Sequence, residues 1–103
     1  MRCQVSNDMY LYVIECVGVD LVKIGYSADP DHRLTELQTG NANKLRVAHR
    51  VSVDPGRERV LEQRVHQELS YRRVRGEWFK MSAQLAASML DHAIIRWHDD
   101  PLV

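Results

Sequence analysis

No stretch of this sequence approaches the roughly 20 consecutive apolar residues that span a bilayer, and residues 1–10 hold Arg2 but no apolar core of the signal-peptide kind. A membrane-spanning or exported chain is therefore not expected, and the sequence reads as cytoplasmic. Cysteine is scarce. Cys3 and Cys16 are the only two, they lack the paired spacing of a zinc or redox site, and both are expected to be free, structural thiols. Net charge is missing as well: 14 lysines and arginines balance 14 aspartates and glutamates. That removes a global basic footprint for nucleic acid and requires any polyanion site to be local. No internal repeat, low-complexity tract or linker is present, so solenoid, collagen-like and disordered architectures drop out. P-loop, dinucleotide-fingerprint, HExxH, CxxC and GxSxG motifs are all absent, which excludes the commonest short catalytic signatures.

What remains is one domain's worth of chain. The 103 residues are 45% hydrophobic and 27% charged, enough for one thin core filled by Leu, Ile and Val with Trp78, Phe79 and Trp97. Residues 9–15 (MYLYVIE) and 21–25 (LVKIG) are rich in β-branched and aromatic residues and flank Gly18, a hairpin signal. Asp29 before Pro30 is an N-cap followed by a proline at the first helical position, and the helix should run to about Thr39, where Gly40-Asn41 stops it. Residues 44–53 (KLRVAHRVSV) alternate like a strand with one wet face, the apolar row of Leu45, Val47, Val51 and Val53 being interrupted by His49. Asp54-Pro55 repeats the cap-and-proline device before a second helix to about Ser70, carrying Val60, Leu61, Val65 and Leu69. After the basic turn and short apolar pair of residues 71–80, Ser82 caps a last helix whose buried face is expected at Leu85, Met89, Ala93 and Trp97, flanked by Ala86, Leu90 and Ile94. The expectation is a single α/β (α+β) domain, residues 1–103. A small three-stranded, mainly antiparallel sheet is flanked by helices in the order ββαβα, followed by a short extended segment and a C-terminal helix at about 82–98.

The charge is unevenly spread. Residues 1–43 carry −3, residues 44–75 carry +5 and residues 76–103 carry −2. Eight of the nine basic residues in the middle third are arginines, the side chain that forks bidentately onto phosphate. Arg46, Arg50, Arg72, Arg73 and Arg75 are the candidate nucleic-acid contacts, with Tyr71-Arg72-Arg73 interleaving an aromatic among them. Glu58, Glu62 and Glu68 lie between arginines in the second helix, so a solvated, salt-bridged helix face explains part of the same block. His66 follows Glu62 by one helical turn, a spacing that puts an acid and an imidazole on one face.

The order of features resembles the GIY-YIG nuclease superfamily. Tyr10-Leu11-Tyr12 stands in the first strand, Lys23-Ile24-Gly25 closes the second, Arg33 follows Gly25 by eight residues, and Glu62 lies in a later helix. KIGYSADPDHRLTELQTGN, followed by LEQRVHQEL and GEWF, is similar to a phage- and bacteria-associated branch whose second motif reads KIG. The resemblance covers about residues 9–82. It implies a metal-dependent endonuclease that hydrolyses DNA phosphodiesters with Mg²⁺ or Mn²⁺. Tyr12 matches the general base that activates water, Arg33 the arginine that stabilises charge on the scissile phosphate, and Glu62 the metal-holding glutamate. His66 is expected to orient Glu62 or to touch phosphate.

Two positions depart from the family pattern: Tyr10 replaces a glycine and Lys23 a tyrosine. Lys23 is expected to orient water or contact phosphate, its ammonium favouring the Tyr12 phenolate. It equally fits a module that binds nucleic acid or a protein partner without cutting. Packing roles stand beside each assignment: a sheet aromatic for Tyr12, a turn for Gly25, a surface helix residue for Arg33, and core closure at Trp78-Phe79 with Glu77 paired to a nearby arginine. A homodimer through the C-terminal helix is a further expectation. No separate recognition domain is legible, so DNA specificity is expected from a partner, a dimer or substrate shape.

Overall fold

A computed structural model describes residues 8–97. Cys3 and His98 lie outside the described residues, and Cys16 is a buried free thiol. The elements are β1 (Met9–Cys16), β2 (Leu21–Ser27), α1 (Pro30–Gln38), β3 (Leu45–Val53), α2 (Glu58–Glu68), a 3₁₀ turn (Ser70–Arg72), β4 (Arg73–Arg75), β5 (Trp78–Lys80) and α3 (Ala83–Trp97). The sheet is antiparallel throughout, in the order β3-β1-β2-β5-β4. Five strands replace the three expected. The extra pair, three residues each, is too short to show an alternating pattern, yet it folds back at Gly76 (φ +53°) and docks on β2.

β1 and β2 are buried on both faces, which is why their sequence is an almost unbroken apolar run. Leu11 and Val13 of β1 face the larger core beneath α2 and α3. Tyr12, Ile14 and Cys16 face a smaller cluster covered by Leu34 and Leu37 of α1. In β3 the expected single wet face does not hold. A bulge opposite Val13 and Ile14 shifts the register and sends Leu45 and Val47 to the α1 side, Val51 and Val53 to the α2–α3 side. His49, the break in the apolar row, bonds its Nε2 to Asp91 of α3 at 2.8 Å.

The helix starts follow local chemistry. Asp29 caps α1 by accepting from the His32 amide at 3.1 Å, and Ser82 caps α3 by accepting from the Leu85 amide at 3.1 Å, both as expected. α2 begins at Glu58, not behind Asp54-Pro55, because Gly56 at φ +97° turns the chain before the helix can start. The buried stripe of α3 is Ala86, Leu90, Ala93 and Trp97. Leu85, expected inside, is 40% exposed, and Ile95 is 81% exposed, because the stripe lies one position further round the helix. No helix among the described residues is long and apolar enough to cross a membrane.

The packing of α3 gives a direct contrast. Leu90→Ala should cost about 2–5 kcal/mol by opening a cavity, whereas Leu85→Ala should cost under about 1 kcal/mol. Urea denaturation midpoints at constant m-value read the difference.

Candidate active site

The site is built where β2 outruns β5. β5 pairs only with Leu21–Lys23, so from Ile24 onward the outer edge of β2 has no strand beside it. Its backbone groups are satisfied otherwise: the Ile24 amide donates to the Glu77 carbonyl at 3.1 Å, and the Ile24 carbonyl accepts from His66 Nε2 at 2.8 Å. A carbonyl can only accept, so Nε2 carries the proton. Burial pushes His66 below its ordinary value, which keeps the ring neutral at physiological pH. His66 also packs tilted against Phe79, ring centroids 5.0 Å apart. It thus clamps α2 to the sheet edge, and Glu62, one turn earlier on the same face, is held where the sheet ends. None of the described contacts of His66 is to Glu62.

Across the sheet, Tyr12 pairs in register with Gly25. A Cβ at Gly25 would lie 2.5 Å from the Tyr12 hydroxyl, 2.8 Å from its ring carbon Cζ and 3.3 Å from a Glu77 carboxylate oxygen. Gly25 is needed for this close approach, not for a turn: it sits inside a strand. The Arg33 guanidinium stands near enough to the Tyr12 hydroxyl to act on its ionisation and donates to Glu36 at 3.2 Å.

These groups open on a cleft of about 490 Å³ whose lining includes Tyr12, Arg33 and Glu62, three of the residues singled out from sequence. Lys23 is not in the lining; its ammonium is bound to Glu77 at 2.8 Å and lies 5.9 Å from the Trp78 ring centroid. Glu77, expected to pair with an arginine, pairs with this lysine and itself lines the cleft. Tyr26, Arg59 and Gln63 complete the lining and were not singled out. Arg59 had a legible signal, three residues before Glu62 on the same helix, and Gln63 is Glu62's chain neighbour. Tyr26 had only its place after Gly25.

The five arginines expected to contact nucleic acid are split between the two ends of the sheet, and none lines the cleft. Arg46 pairs with Glu15 at 3.0 Å and Arg50 with Asp31 at 2.7 Å on the β3 side. On the β4 side Arg72 stacks on Tyr71 and Arg73 on Phe79, while Arg75 borders a separate groove beside Trp78. The cationic groups at the cleft itself are Arg33 and Arg59.

Electrostatics divide the site. Burial raises the Tyr12 phenol above its ordinary 10.0, against the lowering effect of the neighbouring Arg33 guanidinium. The expected assistance from Lys23 is not what acts on it. Burial, and then the neighbouring Glu77 carboxylate, push Glu62 up to about 7, while Lys23 and Arg59 pull it down. Glu62 is 8% exposed and makes no hydrogen bond or ion pair among the described residues. A buried carboxylate without a partner, opening on a polar cleft, is a donor suited to a cation. No group of three or more His, Cys, Asp or Glu that could hold a metal ion gathers among the described residues.

Two outcomes test this geometry. Gly25→Ala should destabilise the fold by about 1–3 kcal/mol through overpacking against a ring that has no room to move. Tyr12→Phe should restore part of that loss in chemical denaturation by removing the closest atom. For Glu62, a folded pKa of about 7 against 4.5 in the unfolded chain means its favourable contribution is complete below 4.5 and is lost as pH rises through 7. Glu62→Gln should therefore match the parent near pH 4 and become the more stable of the two by pH 8, in denaturation midpoints measured across that range.

A family model described as the T5orf172 domain matches residues 9–98. No curated protein and no solved structure matches the chain significantly. The match runs from the first residue of β1 to the end of α3 and takes in every residue of the cleft, so the chain belongs to the T5orf172 family.

Proposed function

We propose that this domain is an endonuclease that hydrolyses DNA phosphodiesters with a divalent cation, Mg²⁺ or Mn²⁺, by a GIY-YIG-type mechanism. Its family is nuclease-associated. The observation that carries the reading is the meeting in one cleft of Tyr12, Arg33 and Glu62, the last buried and without a hydrogen bond or ion pair among the described residues. Phosphodiester hydrolysis needs little more from a protein than an aligned water and stabilisation of the negative charge that develops on phosphorus oxygens.

Glu62 holds the cation in this reading, and when bound the ion supplies positive charge against that developing on the phosphate. Arg33 contributes a second positive charge from the cleft wall beside Tyr12. The Tyr12 oxygen accepts the proton of the attacking water as the new P–O bond forms. The P–O ester bond opposite breaks, and its oxygen takes a proton from solvent. Because the phenol lies above 10.0 and Glu62 near 7, only a small fraction of Tyr12 is ionised at neutral pH, and cleavage rises with pH from neutrality upward. Lys23 acts on the cleft through Glu77, to which it is bound.

The second reading, a module that binds nucleic acid without cutting, is favoured by two observations: the Lys23 ammonium is engaged by Glu77, and the Tyr12 pKa is raised, not lowered. A nicking assay on supercoiled plasmid with Mg²⁺ or Mn²⁺ separates the two. Arg33→Ala should slow cleavage about 10²–10³-fold, and Glu62→Gln should abolish it with an unchanged circular dichroism spectrum. Cleavage undiminished in Glu62→Gln overturns the assignment, and binding without any turnover by the parent establishes the module.

A further inference from the structure

We propose that Tyr26 is a stacking platform for an unpaired nucleobase beside the scissile phosphodiester, so that the preferred substrate is DNA with an unpaired nucleotide at the cut rather than continuous duplex. This rests on the endonuclease reading of the same cleft. The chain has seven aromatic residues, and six are already engaged. Arg50 lies over Tyr10, Arg72 over Tyr71, Lys23 over Trp78, Arg73 over Phe79, and Arg64 and Arg96 over Trp97. Tyr12 is buried, with the Arg33 guanidinium acting on its hydroxyl.

Tyr26 is the exception. It is 38% exposed, it lines the cleft, and it has no ring contact, cation or hydrogen bond among the described residues. It follows Gly25 directly, so its backbone stands one residue from the point where the Tyr12 hydroxyl approaches the sheet. Arg59 and Gln63 line the same cleft from α2. Both are exposed and neither forms an ion pair or hydrogen bond among the described residues.

The chemistry of this wall is that of a nucleotide. A bare aromatic face takes a base, an unpaired guanidinium takes a backbone phosphate, and a carboxamide offers a donor and an acceptor to a base edge. Inside a duplex each base is already covered on both faces by its neighbours, so an exposed ring gains nothing unless the base leaves the stack. Extrusion from a paired stack costs a few kcal/mol, and least where the base is already unpaired. A ring beside the scissile position therefore selects single strands, flaps and bulges over intact duplex.

Binding in EDTA, where no cleavage occurs, tests this by fluorescence anisotropy of the full chain with a labelled single strand and with the same strand in a blunt duplex. Tyr26→Ala should weaken binding to the single strand about 5- to 100-fold, with the duplex affinity changed less than about twofold. Tyr26→Phe should restore single-strand binding and Tyr26→Leu should not, which separates stacking from bulk. Equal losses on both substrates, no loss on either, or full rescue by leucine overturns the proposal, as does a parent that fails to bind the single strand. The readout needs no turnover. A parent that shows this discrimination but never cuts in Mg²⁺ or Mn²⁺ keeps the platform and discards the nuclease, while a parent that cuts and whose Tyr26→Ala variant binds as before discards the platform alone.

Discussion

The packing of the Tyr12 ring over the bare backbone of Gly25 is the contact on which the rest of the site depends. A ring this close, with 2.5 Å between its hydroxyl and the point a Cβ would occupy, can lie flat on β2 only where β2 offers no side chain. That places a phenol at 1% exposure on the α1 face of the sheet while its oxygen reaches the edge of β2. The Arg33 guanidinium approaches that oxygen from α1 and offsets part of the effect of burial on it. α1 is aligned for this by the Asp29 cap and by Leu34 and Leu37 packing on the same face. The tyrosine, the glycine and the arginine are one packing solution, and they come from three different elements.

How far the sequence announced this depends on which physical signal each part used. β1, β2 and α1 were legible because their signals are local: an apolar run, a cap with proline behind it, a glycine stop. The start of α2 was misread because the cap-and-proline pair at Asp54-Pro55 is followed by Gly56, whose left-handed backbone diverts the chain. Of β4 and β5 only a short extended segment was legible, since three-residue strands have no period to detect and form only against β2 and each other. In β3 the pattern was seen but its meaning inverted at the bulge: the apolar residues keep odd numbering yet change faces between Val47 and Val51. Of the site, Tyr12, Arg33 and Glu62 were legible from motif order. Tyr26 and the role of Glu77 were not, because they meet Glu62 only in space, whereas Arg59 and Gln63 stand beside it on α2.

Zero net charge, which at first argued against a polyanion substrate, has a local counterpart in the cleft. Arg33 and Arg59 face Glu62 and Glu77, and Lys23 stands behind Glu77, so cations and anions are nearly balanced within one small volume. Balance of this kind does not make the site inert. The charges differ in burial: Glu62 is 8% exposed, whereas the Glu77 side chain is 40% exposed and already matched by Lys23. Water screens the matched, outer carboxylate and not the inner one. The unmet electrostatic demand in the cleft is therefore concentrated on a single group, the carboxylate of Glu62.

Glu77 joins this electrostatics to the fold. Its backbone carbonyl accepts the Ile24 amide that β5 leaves unpaired, and its side chain holds Lys23 on the same strand. One residue of the β4–β5 turn thus both completes the edge of β2 and sets the charge beside Glu62. On the opposite side His66 takes the Ile24 carbonyl from α2. The two backbone groups of Ile24 are therefore the points at which the hairpin and α2 are pinned to the sheet, one residue before the glycine that admits Tyr12. A shift of either clamp would move Glu62 or Glu77 relative to the phenol, and through Leu61, Val65 and Phe79 it would reach the larger core as well. The short, basic β4–β5 hairpin, the least legible part of the sequence, is in this way tied directly to the geometry of the cleft.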